Sequence, residues 1–143
     1  LDWMEGLKAK GITVREIPDW GNYLRDEWIS HFASHLNAQE KRDIYLKDGR
    51  RFCGYLWHVF SYETKACLEE QQADRAFDEE QKWSCYVFFQ DQDDAYLLEN
   101  SQSLRAEDFP DGEDIYVVNK KFSWTYMKTH ENGHLGPYFS RKE

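Results

Sequence analysis

The segment His130-Glu131-Asn132-Gly133-His134 has the residue types of a zinc hydrolase. In the pattern H-E-x-x-H, a helix sets two histidines four residues apart on one face. Both then ligate one ion, and the glutamate takes a proton from the metal-bound water. The same five residues carry a second meaning. Asn-Gly accepts the positive φ angles of a two-residue turn, and two strand-like runs flanking it form a hairpin. The preceding run, Phe122-Ser123-Trp124-Thr125-Tyr126-Met127-Lys128-Thr129, is rich in aromatic and Thr residues and suits a pleated strand. The following Leu135-Gly136-Pro137 would end a helix at once. A hairpin here sets Glu131 opposite His134 and His130 opposite Leu135, with the two histidines on opposite faces. On that geometry they do not chelate together, and no third ligand stands at a familiar spacing downstream. No metal and no other cofactor is expected.

Other residues with chemical potential are sparser. His31 and His35 stand four apart on a helical stretch, which is metal-ligand spacing. Both fall at the edge of an apolar stripe, beside Leu24 and Trp28, and read as packed boundary histidines. Asp91, Asp93 and Asp94 offer oxygen ligands for Ca²⁺ or Mg²⁺. Their loop lacks the Gly at the sixth position and the Glu at the twelfth of an EF-hand, where Gln102 stands instead. No G-x-S-x-G elbow and no phosphate-binding glycine loop occurs, Gly49 and Gly54 being isolated. His58 lies within Leu56-Trp57-His58-Val59-Phe60, and a buried histidine needs partners for both ring nitrogens. If its strand neighbours the Trp124 strand, His58 joins His130 and Glu131, with Tyr62, Glu63 and Tyr138 nearby. The candidate binding surface is therefore His58, Trp124, His130, Glu131 and Tyr138, with no catalytic or metal residues assigned.

The elements that would position these residues follow from periodicity. Leu1 to Lys10 reads as a short helix stopped by Gly11, and Ile12 to Ile17 alternates like a strand closed by Pro18. Leu24, Trp28, Phe32 and Leu36 recur every four residues and predict a helix over Tyr23 to Leu36. Asn37 ends it or caps a second short helix through Gln39 to Tyr45, before a turn at Asp48-Gly49. Phe52 to Tyr62 is apolar on both faces and is expected as a central strand. Glu63 to about Glu80 reads as a helix carrying Ala66, Ala73, Ala76 and Phe77 inward. Cys85 to Gln90 and Ala95 to Glu99 form a hairpin around Asp91 to Asp94, and Ser101 to Asp108 adds a helical turn. Ile115 to Asn119, Ser123 to His130 and Leu135 to Ser140 complete the strands. Helices early and strands late argue for one α+β domain over residues 1–143. Its mainly antiparallel sheet has about five to six strands, with N-terminal and mid-chain helices packed on one face.

Composition narrows the partners. The 143 residues carry a net charge of −9 and include six Trp, nine Tyr and nine Phe, enough aromatic surface to build the core in few layers. Nucleic-acid binding needs a basic footprint, and none is visible, so neither nucleic acid nor an anionic membrane is expected as partner. A basic protein partner fits the charge. Cys53, Cys67 and Cys85 form no C-x-x-C pair and suggest free thiols in a reducing cytoplasm. No signal peptide and no apolar run of membrane length is seen.

Three stretches together carry a resemblance. They are Ile17-Pro18-x-Trp20-Gly21-x-Tyr23-Leu24-Arg25, Gly54-Tyr55-Leu56-Trp57-His58-Val59-Phe60-Ser61-Tyr62-Glu63, and Asp114-Ile115-Tyr116-Val117-Val118 running on through Phe122-x-Trp124-Thr125, Thr129-His130-Glu131 and Gly136-Pro137-Tyr138-Phe139. The set resembles an uncharacterised family of small, single-domain proteins from Bacillus and related bacteria, known only as a domain of unknown function. The resemblance covers nearly the whole chain and implies a bacterial cytosolic protein. It brings no established activity, cofactor or catalytic residue. It implies that the first His and the Glu of the opening segment recur while the second His need not, which makes the zinc pattern accidental.

The expectation is a non-enzymatic cytosolic binding or interaction domain. One version is an immunity or antitoxin-like protein that neutralises a basic partner. The alternatives are a metal-dependent hydrolase using His130 and Glu131, or an acid–base enzyme built on His130–Glu131 or His58–Glu63.

Overall fold

A computed structural model describes residues 2–46 and 54–142. The turn expected at Asp48-Gly49, the Phe52-Cys53 start of the expected strand and the Cys53 thiol lie outside the described residues. In chain order the elements are α1 (Asp2–Ala9), β1 (Thr13–Ile17), α2 (Gly21–Phe32), α3 (Ala38–Asp43), α4 (His58–Ser61), β2 (Leu68–Glu69) and α5 (Glu70–Glu79). They continue with β3 (Ser84–Phe89), β4 (Ala95–Glu99), a 3₁₀ turn (Ala106–Asp108), β5 (Ile115–Asn119), β6 (Trp124–Lys128) and β7 (Tyr138–Arg141).

The strands form one antiparallel sheet in the order β1-β4-β3-β5-β6-β7-β2. Among the described residues seven strands are present where five to six were expected, because the edge strand β2 is only two residues long and gives no alternation to read. It replaces the start of the helix expected from Glu63, and α5 is correspondingly shorter, with Ala73 and Phe77 buried.

Strand parity divides the core in two. On one face, Leu24, Trp28 and Phe32 of α2 and Phe60 of α4 meet Phe88, Tyr116, Val118 and Met127. On the other, Leu7 of α1 and Ala73 and Phe77 of α5 meet Val87, Val117, Tyr126 and Phe139. The helices are thus shared between both faces rather than gathered on one. Each large side chain removed from water here contributes about 1.5–3 kcal/mol. Trp28 also donates Nε1–H to Thr125 Oγ1 at 2.8 Å, so the indole that fills the first core is oriented by the sheet beneath it.

The four-residue spacing of α2 is realised, but the helix ends at Phe32 rather than Leu36. Asn37 then caps α3: its Oδ1 accepts from Glu40 N at 2.8 Å while Glu40 Oε1 accepts from Asn37 N at 2.9 Å, a reciprocal capping box.

The largest correction concerns Phe52 to Tyr62. Its described part is not a strand but a chain of turns leading into α4. Three i→i+3 bonds build it, from His58 N to Tyr55 O, Val59 N to Leu56 O and Phe60 N to Trp57 O. Leu56, Trp57, Val59 and Phe60 are buried, while Tyr55, His58 and Tyr62 face outward. A short run apolar on both sides fits a buried strand and a buried helical turn equally well, and here the 3.6-residue period prevails.

Candidate functional site

α4 sets Tyr55, His58 and Tyr62 along one stripe, at positions i, i+3 and i+7. A strand would have put Tyr55 and Tyr62 on opposite faces. The local chain is held from below at several points. Leu56 N donates to Gln90 Oε1 at 2.9 Å, and the Tyr116 hydroxyl donates to the same oxygen. Tyr55 N donates to Tyr45 O at 3.1 Å. At Gly54 any Cβ would collide with the carbonyl oxygens of Tyr45 and Leu46, so glycine is what lets the two segments touch.

The sheet delivers the second half of the site. In the β5–β6 register Ile115 pairs with Lys128, which brings Asp114 to the end of β6 where His130 leaves it. Asp114 Oδ1 accepts from His130 N at 2.9 Å and from Trp57 Nε1 at 2.9 Å. Both of its carboxylate oxygens lie 3.0 Å from His130 Nδ1. One carboxylate therefore ties α4, β5 and the loop after β6 together. Sequence reasoning did not single out Asp114. Its only signal was an acidic residue directly before a strand, level with a histidine directly after the neighbouring one.

The loop itself corrects the hairpin expectation. β6 and β7 last pair at Met127 and Tyr138, so residues 129–137 form a longer connection, not a two-residue turn. Leu135 N and His134 N both donate to Glu131 O at 2.9 Å, a single helical turn that is not continued. Thr129 braces it, its Oγ1 accepting from Glu131 N at 3.1 Å and donating to Leu135 O. Gly133 does adopt a positive φ of 100°, so the turn chemistry of Asn-Gly is used while the pairing across it is not.

His58 and His130 share one aromatic surround. The Tyr55 ring lies 5.3 Å from His58 and 5.2 Å from His130, and Trp57 lies 4.7 Å and 5.8 Å from them. Tyr62 packs on His58 at 5.2 Å. Glu131 Oε2 stands 3.8 Å from His130 Nε2. His58 Nδ1 lies 2.7 Å from Ile44 O and 3.2 Å from Tyr45 O. Carbonyls only accept, so Nδ1 carries the proton and Nε2 of the neutral ring is a bare lone pair. His130 Nδ1 meets a carboxylate, which also only accepts, so that nitrogen too carries a proton. Burial lowers the pKa of His58 below the ordinary 6.5, opposed by its two carbonyl partners and by the charges of Asp114 and Glu131.

Not all expected site residues converge. Tyr138 lies beneath the surface, packed on Phe60 at 5.7 Å, and burial pushes its hydroxyl up to about 12 with Glu69, Cys67 and Glu131 adding to the effect. Trp124 is on the opposite face of the sheet, 5.7 Å from Phe77 and 5.9 Å from Phe139. Parity explains the separation: Trp124 and Tyr126 point to one core, Thr125 and Met127 to the other. His134 is exposed on the loop. Among the described residues no group of three or more His, Cys, Asp or Glu side chains is placed to hold a metal ion. His31 and His35 belong to the far end of the molecule, where His31 stacks on Phe122 at 4.9 Å.

Fold and site together define an α+β domain with an antiparallel sheet whose rim carries paired histidines in an aromatic setting. The sequence matches a domain of unknown function (DUF4275) over residues 1–139, and the chain belongs to that family. No curated protein and no solved structure matches it. No helix among the described residues is long and apolar enough to cross a membrane.

Proposed function

We propose that the chain is a recognition domain whose rim site takes a positively charged hydrogen-bond donor. The guanidinium or ammonium group of a basic partner protein has that chemistry. The observation that carries this is the contact of each histidine Nδ1 with protein oxygens. Each commits its Nδ1 proton to a protein oxygen, which in the neutral ring leaves Nε2 as an acceptor. Glu131 adds a carboxylate beside one of them. Tyr55 and Tyr62, both partly exposed, add ring faces that attract cations. A site made of acceptors and aromatic faces suits a cationic donor and disfavours an anion. The net charge of −9 would draw such a partner in. A bacterial cytoplasm is the setting that goes with this reading.

Titration with N-acetyl-arginine amide, followed by backbone amide NMR, tests it. Saturable shifts confined to Tyr55, Trp57, His58, His130 and Glu131, lost in Glu131→Gln, are expected. Absence of saturation, or shifts unchanged by that substitution, would sink the proposal. A pull-down at low and physiological salt that recovers no basic protein would count against a protein partner.

A second reading has one observation behind it. Asp114 orients His130 as a carboxylate orients a general base. Among the described residues no hydroxyl or thiol hydrogen-bonds to His130 Nε2, so the pair would have to act on a proton of the bound molecule itself. Retention of any substrate turnover in His130→Gln would exclude that reading.

A further inference from the structure

The end of the molecule remote from His130 carries a cleft of about 370 Å³ lined by His31, Ser34, His35, Thr64, Lys65 and Lys142, with no Asp or Glu among its lining residues. These side chains come from the last turn of α2 and the residues after it, the loop after α4 and the residue following β7. Their donors are aimed by specific contacts. Lys142 Nζ donates to His31 Nδ1 at 2.7 Å, which places the proton of neutral His31 on Nε2. Thr64 gives its hydroxyl hydrogen to Val59 O at 2.8 Å, so its Oγ1 can only accept from His35 Nε2–H at 3.2 Å. His31 is held flat by Phe122, its ring 12° from parallel. Among the described residues, Glu27 sets a carboxylate 3.8 Å from His31 Nε2. In a chain of net charge −9, two lysine ammonium groups at one concavity form a local positive field.

We infer that this cleft is an anion site for a phosphate group, free or carried as a monoester. Two lysine ammonium groups supply charge and donors without a fork geometry, which suits a tetrahedral oxyanion better than a planar carboxylate. The Ser34 hydroxyl adds a neutral donor at the mouth. Lys142 has three ammonium hydrogens and gives one to His31, so it holds that ring while reaching the anion with another. The cleft is separate from the rim site and takes a ligand of opposite charge, so either can fail without the other.

Backbone amide NMR with inorganic phosphate and, in parallel, methyl phosphate, against chloride at matched ionic strength and fixed pH, tests the inference. Saturable shifts at His31, Ser34, His35, Thr64, Lys65 and Lys142 are expected with phosphate and not with chloride. Tighter binding of methyl phosphate would identify a monoester as the ligand, and tighter binding of phosphate the free ion. Lys142→Met and Lys65→Met should each weaken binding about tenfold, as loss of one charge-assisted contact does. Lys120→Met, outside the cleft, should leave binding unchanged. Unaltered melting of the variants shows that the fold is intact. No saturation below about 10 mM phosphate, equal shifts with chloride, or full binding by both lysine variants would overturn the assignment.

Discussion

The two ends of β5, β6 and β7 use the same residue type to opposite effect. At one end His58 and His130 hold their protons on Nδ1, against carbonyls and a carboxylate, and offer lone pairs. At the other, His31 accepts from Lys142 and His35 donates to Thr64, so both carry the proton on Nε2. The first end is rich in acceptors and aromatic faces, and the second in cationic donors. A net charge averages over this difference and hides it. The ends also differ in depth. Trp57 and Asp114 root the first in the core, with Trp57 only 1% exposed, whereas the second is assembled from side chains on the surface.

That contrast in depth can be broken by substitution. Trp57→Ala removes a buried indole and its bond to Asp114 and should cost about 3–5 kcal/mol, read by chemical denaturation. Lys142→Met at the other end should stay within about 0.5 kcal/mol of the parent. If both cost the same, the two ends are equally integral to the fold. Asp114→Asn keeps the shape but weakens the contacts to Trp57 and His130, and should cost about 1–3 kcal/mol by the same measurement.

pH separates the ends more finely. His58 has a folded pKa below its unfolded value of 6.5. The unfolded chain then binds protons more readily. The contribution of His58 to stability is therefore complete above 6.5 and is lost as pH falls from there through the folded pKa. His58→Gln should flatten this part of the stability profile below pH 6.5, and an unchanged slope would refute the cause. The smallest effect is at the rim of the cationic cleft. Glu27→Gln removes a carboxylate that faces His31 and should tighten phosphate binding about two- to threefold, since exposed pairs are worth well under 1 kcal/mol.

Much of this architecture is legible in the sequence. The α2 stripe, the β3–β4 hairpin, β1, β5 and β6 follow from period and turn signals, because each buries one clear face. α4 was misread because Leu56 to Phe60 is apolar in every direction. The outward residues, Tyr55, His58 and Tyr62, held the helical period all along. His58, His130 and Glu131 do meet, but through that helix and not through paired strands. Trp124 does not join them, since strand parity outranks closeness in sequence. Asp114 was missed because its role depends on the register between β5 and β6, which no local pattern encodes.

The tautomers of the histidines test the central contrast most directly. Long-range ¹H–¹⁵N correlation at about pH 8, where imidazoles are neutral, distinguishes Nδ1–H from Nε2–H ring by ring, with exposed His134 as the internal reference. The account predicts Nδ1–H at His58 and His130 and Nε2–H at His31 and His35. The same tautomer at all four would contradict it.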